Sequence, residues 1–290
     1  MSFHQQITAR NFLLIAEIDP PKGVNIKPFL DQALALKGRV DAVAVTDSEH
    51  AIMSMSPLAP CHELLANNMD PLLVINGRDR NRISLQADLL SAWALGVRNV
   101  ILKEGIDPAW GDQPLVRTSG DLNLDVMAQA VSALNQGKDL GGESLNGGTA
   151  FAAGVGIDPS DDINVNRRRA DALARYKEIG VQFAVLGPTY DLNIIELFVN
   201  KAQDAGIRLF ATLMLLKSVA MIRYLDGLAG VPSVPNEFLK RLMDAPVKAQ
   251  AGLEIAAEFM KDIEKLCSGA VLHALGWGPR LTELLTLIGR

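Results

Sequence analysis

Cysteine is scarce. The chain holds two, Cys61 and Cys267, far apart and without a CxxC partner. They fit a reducing compartment better than a disulfide scaffold or a cysteine zinc site. The four histidines (His4, His50, His62 and His273) show no metal-ligand spacing, so no metal is expected. Basic runs are also missing. The net charge of −5 gives no electrostatic case for nucleic acid or an anionic membrane. No segment approaches the roughly 18 apolar residues of a membrane span. The apolar run near the N-terminus is too short for a signal peptide and is soon interrupted by Glu17. A soluble, cytoplasmic protein is the expectation. There is no GxGxxG, no P-loop and no nucleophile elbow.

What the sequence does hold is a rhythm. Its 290 residues, 49% of them hydrophobic, allow one large α/β domain or two smaller ones. Short apolar runs recur as "FLLIAEI", "VDAVAVTD", "DPLLVING", "VRNVILKEG", "FAAGVGID", "VQFAVLG", "IRLFATLML" and "AVLHALGWG". Amphipathic stretches such as "NRISLQADLLSAWALG" and "LNIIELFVNKAQDAG" lie between them, and several end on glycine. Eight strands alternating with helices predict parallel βαβ units and a closed (β/α)8 barrel, with a doubly wound open sheet as the competing architecture. No composition break divides the chain, so one domain over residues 1–290 is expected. "KDLGGESLNGGTA" reads as a surface loop before the fifth strand. "LAGVPSVPNEFLKRLMDA" reads as an extra helical element starting at Pro235 and Asn236.

In such a barrel the strand C-termini surround one pocket. The first strand ends "AEIDPPKG", a carboxylate inside an apolar run that two prolines then stop. A buried carboxylate is costly unless it is paired, protonated or used. Flanked by Ala16 and Ile18, Glu17 is expected to have a raised pKa and to donate a proton; a structural ion pair with an arginine or lysine of a neighbouring strand is the alternative. The other ends present Thr46, Asp47, Asn76, Arg78, Asp79, Glu104, Asp107, Asp158, Tyr190, Lys217 and His273. Each also has a plain reading. Asp107 and Asp158 precede proline and can simply start turns, and His273 sits in an apolar strand where a satisfied core histidine is ordinary.

Several phrases, in order along nearly the whole chain, resemble the methylenetetrahydrofolate reductase family, most of all its short bacterial type. They are "AEIDPPKG", "GRDRNRISLQADLLSAWALGVRNV", "AWGDQP", "LNQGKDLGGESLNGGTAFAAGVGIDP", "GPTYDL" and "GVPSVP". The resemblance implies a (β/α)8 barrel holding FAD, reduced by NADH or NADPH, which passes hydride to methylenetetrahydrofolate. It makes Glu17 the general acid. It places Thr46, Asp47, Gly105 and Asp107 on the cofactor side of the site. Among the strand-end residues, Asn76, Asp79 and Tyr190 are the candidates for the substrate side.

The departures fall on the flavin. The family's flavin loop carries Gly-Asp, whereas here Ile106 follows Gly105 and Asp107 comes one place late. A third-strand histidine is replaced by Val74, and the sixth-strand Thr-Gln by Leu186 and Gly187. The aspartate and lysine that grip the FAD align with Arg169 and Tyr176. Two functional readings therefore stand: a reductase, with FAD, FMN or direct transfer from a nicotinamide, and a flavin-free pterin-binding methyltransferase or methyl-transfer accessory subunit. A third treats the chain as a docking subunit of a one-carbon complex or a homo-oligomer, using the C-terminal "LTELLTLIGR".

Overall fold

The computed structural model describes residues 2–8, 12–48, 50–228 and 230–290. Its strands are β1 (Leu13–Ile18), β2 (Ala42–Val45), β3 (Pro71–Asn76), β4 (Asn99–Lys103), β5 (Ala152–Ile157), β6 (Phe183–Leu186), β7 (Arg208–Met214) and β8 (Gly269–His273). They form a closed ring in chain order. Every neighbouring pair is parallel, including β8 with β1, where Leu13 faces Gly269 and Glu17 faces His273. That last pairing rules out the open sheet. All eight expected strands are present, seven within a residue or two of their predicted ends, while β8 stops at His273, five residues before the end of the run "AVLHALGWG".

The helices are α1 (Phe3–Gln6), α2 (Lys27–Ala35), α3 (Leu58–Ala66), α4 (Arg82–Ala94), α5 (Leu124–Asn135), α6 (Ile163–Ile179), α7 (Leu192–Ala205), α8 (Val219–Asp226), α9 (Asn236–Asp244), α10 (Lys248–Leu266) and α11 (Gly278–Leu287). Their ends follow local chemistry. Asn81 opens α4 by accepting the amides of Ile83 and Ser84, and Asn123 opens α5 through the amide of Val126. Gly180 and Gly206 close α6 and α7 with φ of 116° and 67°, a conformation costly for any residue with a Cβ. None of the described helices is long and apolar enough to cross a membrane.

Alternation along each strand divides the core in two. One set of side chains meets the helices, and the other fills the barrel: Leu13, Ile15, Ala42, Ala44, Leu72, Val74, Ile101, Phe183, Val185, Phe210 and Val271. Phe3 and Ile7 belong to this inner set. The α1 segment thus plugs the N-terminal end, Phe3 lying edge-on to Phe183 with ring centres 5.7 Å apart. Arg208 ties the plug down by donating to the carbonyls of Gln6 and Ile7, both at 3.1 Å. With its lower end filled and sealed, the barrel offers its chemistry at the other end.

The loop over residues 138–150 folds back on the end of α5, at the face away from the strand C-termini. α9 begins at Asn236 directly after Pro235, as predicted. The C-terminal α11 buries Leu281, Leu284 and Leu285 against the barrel, so most of its apolar surface is already used.

Candidate active site

Two residues beyond the last inner-core position, each strand reaches the mouth. Ile15 leads to Glu17, Ala44 to Thr46, Val74 to Asn76, Ile101 to Lys103, Phe210 to Thr212 and Val271 to His273. On β5 the inward positions are Gly154 and Gly156, and past β6 the series gives Gly187. Polar groups on six strands therefore converge on one opening, with glycines leaving room on the β5–β6 side.

The centre of this ring is a pair. Glu17 and His273, only 8% and 7% exposed, face each other across the β1–β8 seam and share a hydrogen bond between the carboxylate and Nδ1. Burial alone would push the Glu17 carboxyl up. The charge and hydrogen bond of His273, with the charges of Lys103 and His50, outweigh it and hold the group well below its ordinary value. This corrects the expectation of a raised pKa, which took Glu17 to be alone among apolar neighbours. The ion-pair alternative placed the contact on a neighbouring strand correctly, but the residue facing Glu17 is a histidine and not an arginine or lysine. The His50 ring lies edge-on to His273, with centroids 6.0 Å apart.

Lys103 completes the electrostatics. It follows Leu102, whose register partner on β5 is Val155, and its stem lies across the next β5 residue, Gly156. A Cβ built on Gly156 would fall 2.6 Å from Lys103 Cγ and 2.7 Å from Cε. The lysine is half-buried and leans into the barrel mouth.

Around the pair, several predicted residues hold the mouth in shape. Thr46 is buried and donates to Asp19 at 2.7 Å, bridging the ends of β1 and β2. Asp47 and Asn76 are also buried and satisfy each other: the Asn76 amide donates to Asp47 Oδ2 at 2.9 Å, and Arg80 forms an ion pair with the same carboxylate. Arg80 also bonds Asp88 at 2.8 Å. Asp79 sits on the rim, where its hydrogen bond to Arg78 holds its carboxyl below the usual range despite partial burial. Arg78 reaches on to the carbonyls of Ser48 and Ile106. Gly105 packs tightly here, because a Cβ would meet Arg78 Cβ at 3.1 Å. Asp107 is exposed, and its carboxylate accepts the Ala109 amide to open a short 3-10 turn at Pro108–Trp110.

Tyr190 is not at the mouth. Its hydroxyl donates to the Met214 carbonyl, and its ring packs in the outer layer against Phe238 and Phe259, with centroids 5.3 and 4.8 Å away. It lies beyond the end of β6, where strand alternation no longer dictates direction, and a large apolar ring gains more by joining the outer core. Lys103, Thr212 and the contact of His273 with Glu17 are what the strand-end reading missed. The alternation that puts Ile101 inward also puts Lys103 inward, so that signal was present. A cavity of about 720 Å³ opens at the opposite end, beside His4, Arg208 and Cys267. It lies away from the converging groups, and barrel chemistry sits at the strand C-termini.

A closed eight-strand barrel with an acid–imidazole pair and a lysine at that end defines a (β/α)8 protein with a polar strand-end site. Its sequence places it more narrowly. The model for methylenetetrahydrofolate reductase matches residues 2–275, and the chain belongs to that family. No curated protein matches it. Among solved structures it is similar to a tryptophan synthase from M. tuberculosis in its open form, with 14% identity over 98% of this chain and 93% of that one and a TM-score of 0.54. Another structure of the M. tuberculosis tryptophan synthase is 12% identical over 99% and 91%, with a TM-score of 0.53. Likeness at that level is a likeness of fold.

Members of the family generally bind a flavin, and the residues here do not fit that grip. Arg169 and Tyr176, which the resemblance sets against the family's phosphate and ribose contacts, differ from them in residue type and each has a partner within this chain. Arg169 donates to the Asp158 carbonyl at 2.7 Å, and Tyr176 is buried in the outer core with the Arg175 guanidinium 5.6 Å from its ring centre. Asp107 caps its own turn, Ile106 stands where the loop aspartate would be, and the Lys103 stem lies over Gly156 on the β4–β5 wall.

Proposed function

We propose that this protein is a methylenetetrahydrofolate reductase-type enzyme that holds a reduced folate in the barrel mouth and protonates the nitrogen of its one-carbon bridge through Glu17. The buried Glu17–His273 pair carries this reading. A carboxylate paired to an imidazole keeps a proton within reach of both groups while excluding bulk water, so His273 serves as the reservoir and Glu17 as the delivering group. Protonation of the bridge nitrogen N10 breaks its bond to the methylene carbon and leaves an iminium at N5. Hydride added to that carbon gives the N5-methyl product, with the proton retained on N10. The poor fit of the flavin contacts favours hydride transfer directly from NADH or NADPH.

A second reading draws on the same mismatch. The barrel would bind a methylated reduced pterin and protonate N5 so that the methyl group departs to an acceptor, with no net redox change.

One anaerobic experiment separates them. The purified protein is mixed with NADH or NADPH and methylenetetrahydrofolate, with and without added FAD, and both loss of nicotinamide absorbance and methyltetrahydrofolate are measured. Stoichiometric consumption and product without FAD is the expected result. Activity only with added FAD would show that a flavin site exists after all. No consumption, together with methyl loss from methyltetrahydrofolate to a thiol or corrinoid acceptor, would replace the first reading with the second.

A further inference from the structure

One strand-end carboxylate is left without a task. Asp158 directly follows β5, and only its backbone carbonyl is used, as the acceptor for Arg169. Among the described residues its carboxylate accepts no hydrogen bond and forms no ion pair, whereas Asp107, which also precedes a proline, caps its own turn. The direction of Asp158 is set by a gap. Gly156 faces the barrel, Ile157 faces the helices, and Asp158 turns inward again. On the next strand Gly187 continues the ladder, its amide donating to the Ile157 carbonyl at 2.8 Å. A Cβ on Gly187 would fall 2.8 Å from Asp158 Oδ1, so the carboxylate lies over the space this glycine leaves empty.

The next strand round holds a second unused group. Leu186 pairs with Ala211, which sets Gly187 beside Thr212 on β7. Thr212 is only 7% exposed and faces the barrel two residues beyond Phe210, and its hydroxyl bonds no described residue. A buried hydroxyl without a protein partner is left for water or a ligand to satisfy. Because the ring closes in chain order, this side of the mouth reads Asp158 after β5, Thr212 on β7, His273 on β8 and Glu17 on β1. That is an acceptor, then a hydroxyl donor, then a proton-handling pair. One edge of a reduced pterin carries the matching order. From its pyrimidine end come the 2-amino and N3–H donors, then the 4-oxo acceptor, then N5, with N10 beyond on the bridge. A carboxylate can accept both of the first donors at once, and a hydroxyl can donate to the oxo group beside them.

We propose that Asp158 is the ligand-orienting residue of this site: it grips the 2-amino and N3–H donors of a reduced pterin, with Thr212 donating to the adjoining oxo group, so that the bridge nitrogens come to rest beside Glu17. This rests on the folate reading above. In the ring β5 stands across from β1, so the end of the ligand held by Asp158 and the end presented to Glu17 are opposite ends of one molecule. Asp158 is accordingly the specificity determinant for the 2-amino group.

The test measures anaerobic binding of tetrahydrofolate and of its 2-desamino-2-methyl counterpart, by calorimetry, in the wild-type protein, Asp158→Ala and Thr212→Val. The wild-type protein should favour tetrahydrofolate by at least about tenfold. Asp158→Ala should weaken tetrahydrofolate binding by roughly tenfold to a hundredfold and shrink that preference below about threefold. Its Tm should match the wild type, since the carboxylate has no partner in the chain to lose. Thr212→Val should weaken both compounds alike, by about threefold to tenfold, because both carry the oxo group. Unchanged affinity of Asp158→Ala for tetrahydrofolate overturns the assignment, and so does a preference equal in variant and wild type. An unaffected Thr212→Val overturns the oxo contact. A wild-type protein that binds neither compound overturns the folate reading itself, which keeps the two failures distinct.

Discussion

Replacing Glu17 by glutamine probes the pair with almost no change in shape. The wild-type carboxylate is buried and bonded to His273 Nδ1. A neutral amide keeps an acceptor for that ring but loses its charge and cannot carry a proton to the substrate. Charge-assisted hydrogen bonds contribute about 1.5–3 kcal/mol against about 0.5–1.5 for neutral ones, so the fold should lose about 1–2 kcal/mol. General acid catalysis is ordinarily worth about 10²- to 10⁴-fold, and turnover should fall by that range. Folate binding should stay within a few-fold of wild type. The stability gap also has a sign in pH. A carboxyl held below its unfolded value near 4.5 stabilises the fold fully above that pH, and the contribution fades as acid protonates it in the folded state. The urea-unfolding difference between wild type and Glu17→Gln should therefore be widest near neutrality and begin to close below about pH 4.5. Near-normal turnover in the variant would refute the role of Glu17, and a gap that widened in acid would refute the pairing.

Other perturbations bear on neighbouring parts of the site. His273→Asn removes the main group holding the Glu17 carboxyl down, so the limb of kcat/KM on which activity falls as Glu17 loses its proton should move to higher pH; an unmoved limb would place the titrating group elsewhere. Asp47→Ala leaves Arg80 short of a buried partner and the Asn76 amide without its acceptor. A cost of about 3 kcal/mol is expected in urea unfolding, and a loss below about 1 would mean that this clasp does not hold β2 to β3. Gly154→Ala drives a methyl into the Phe183 ring and should lower stability by about 1–3 kcal/mol, read as a fall in Tm. A protein of unchanged Tm would show that the inner core can yield there.

The barrel itself was legible in the sequence because parallel strands buried on both faces must be written as short apolar runs, and helices on the outside as amphipathic ones. Glu17 stood out because a carboxylate inside such a run has no inexpensive explanation, and Asn81, Gly180 and Gly206 announced helix ends through local backbone chemistry alone. Direction after a strand ends is another matter. Tyr190 lies four residues past Leu186, beyond the reach of alternation, and the rings of α9 and α10 decided its place. Likewise, nothing local links Glu17 to a residue 256 positions away. Only closure of the ring brings β8 beside β1, gives the carboxylate its imidazole and reverses the expected direction of its pKa. The same closure sets Lys103 against that pair, with Gly156 vacating the space it needs. Local pattern determined which elements form; the long-range contacts of a closed barrel decided which charges meet.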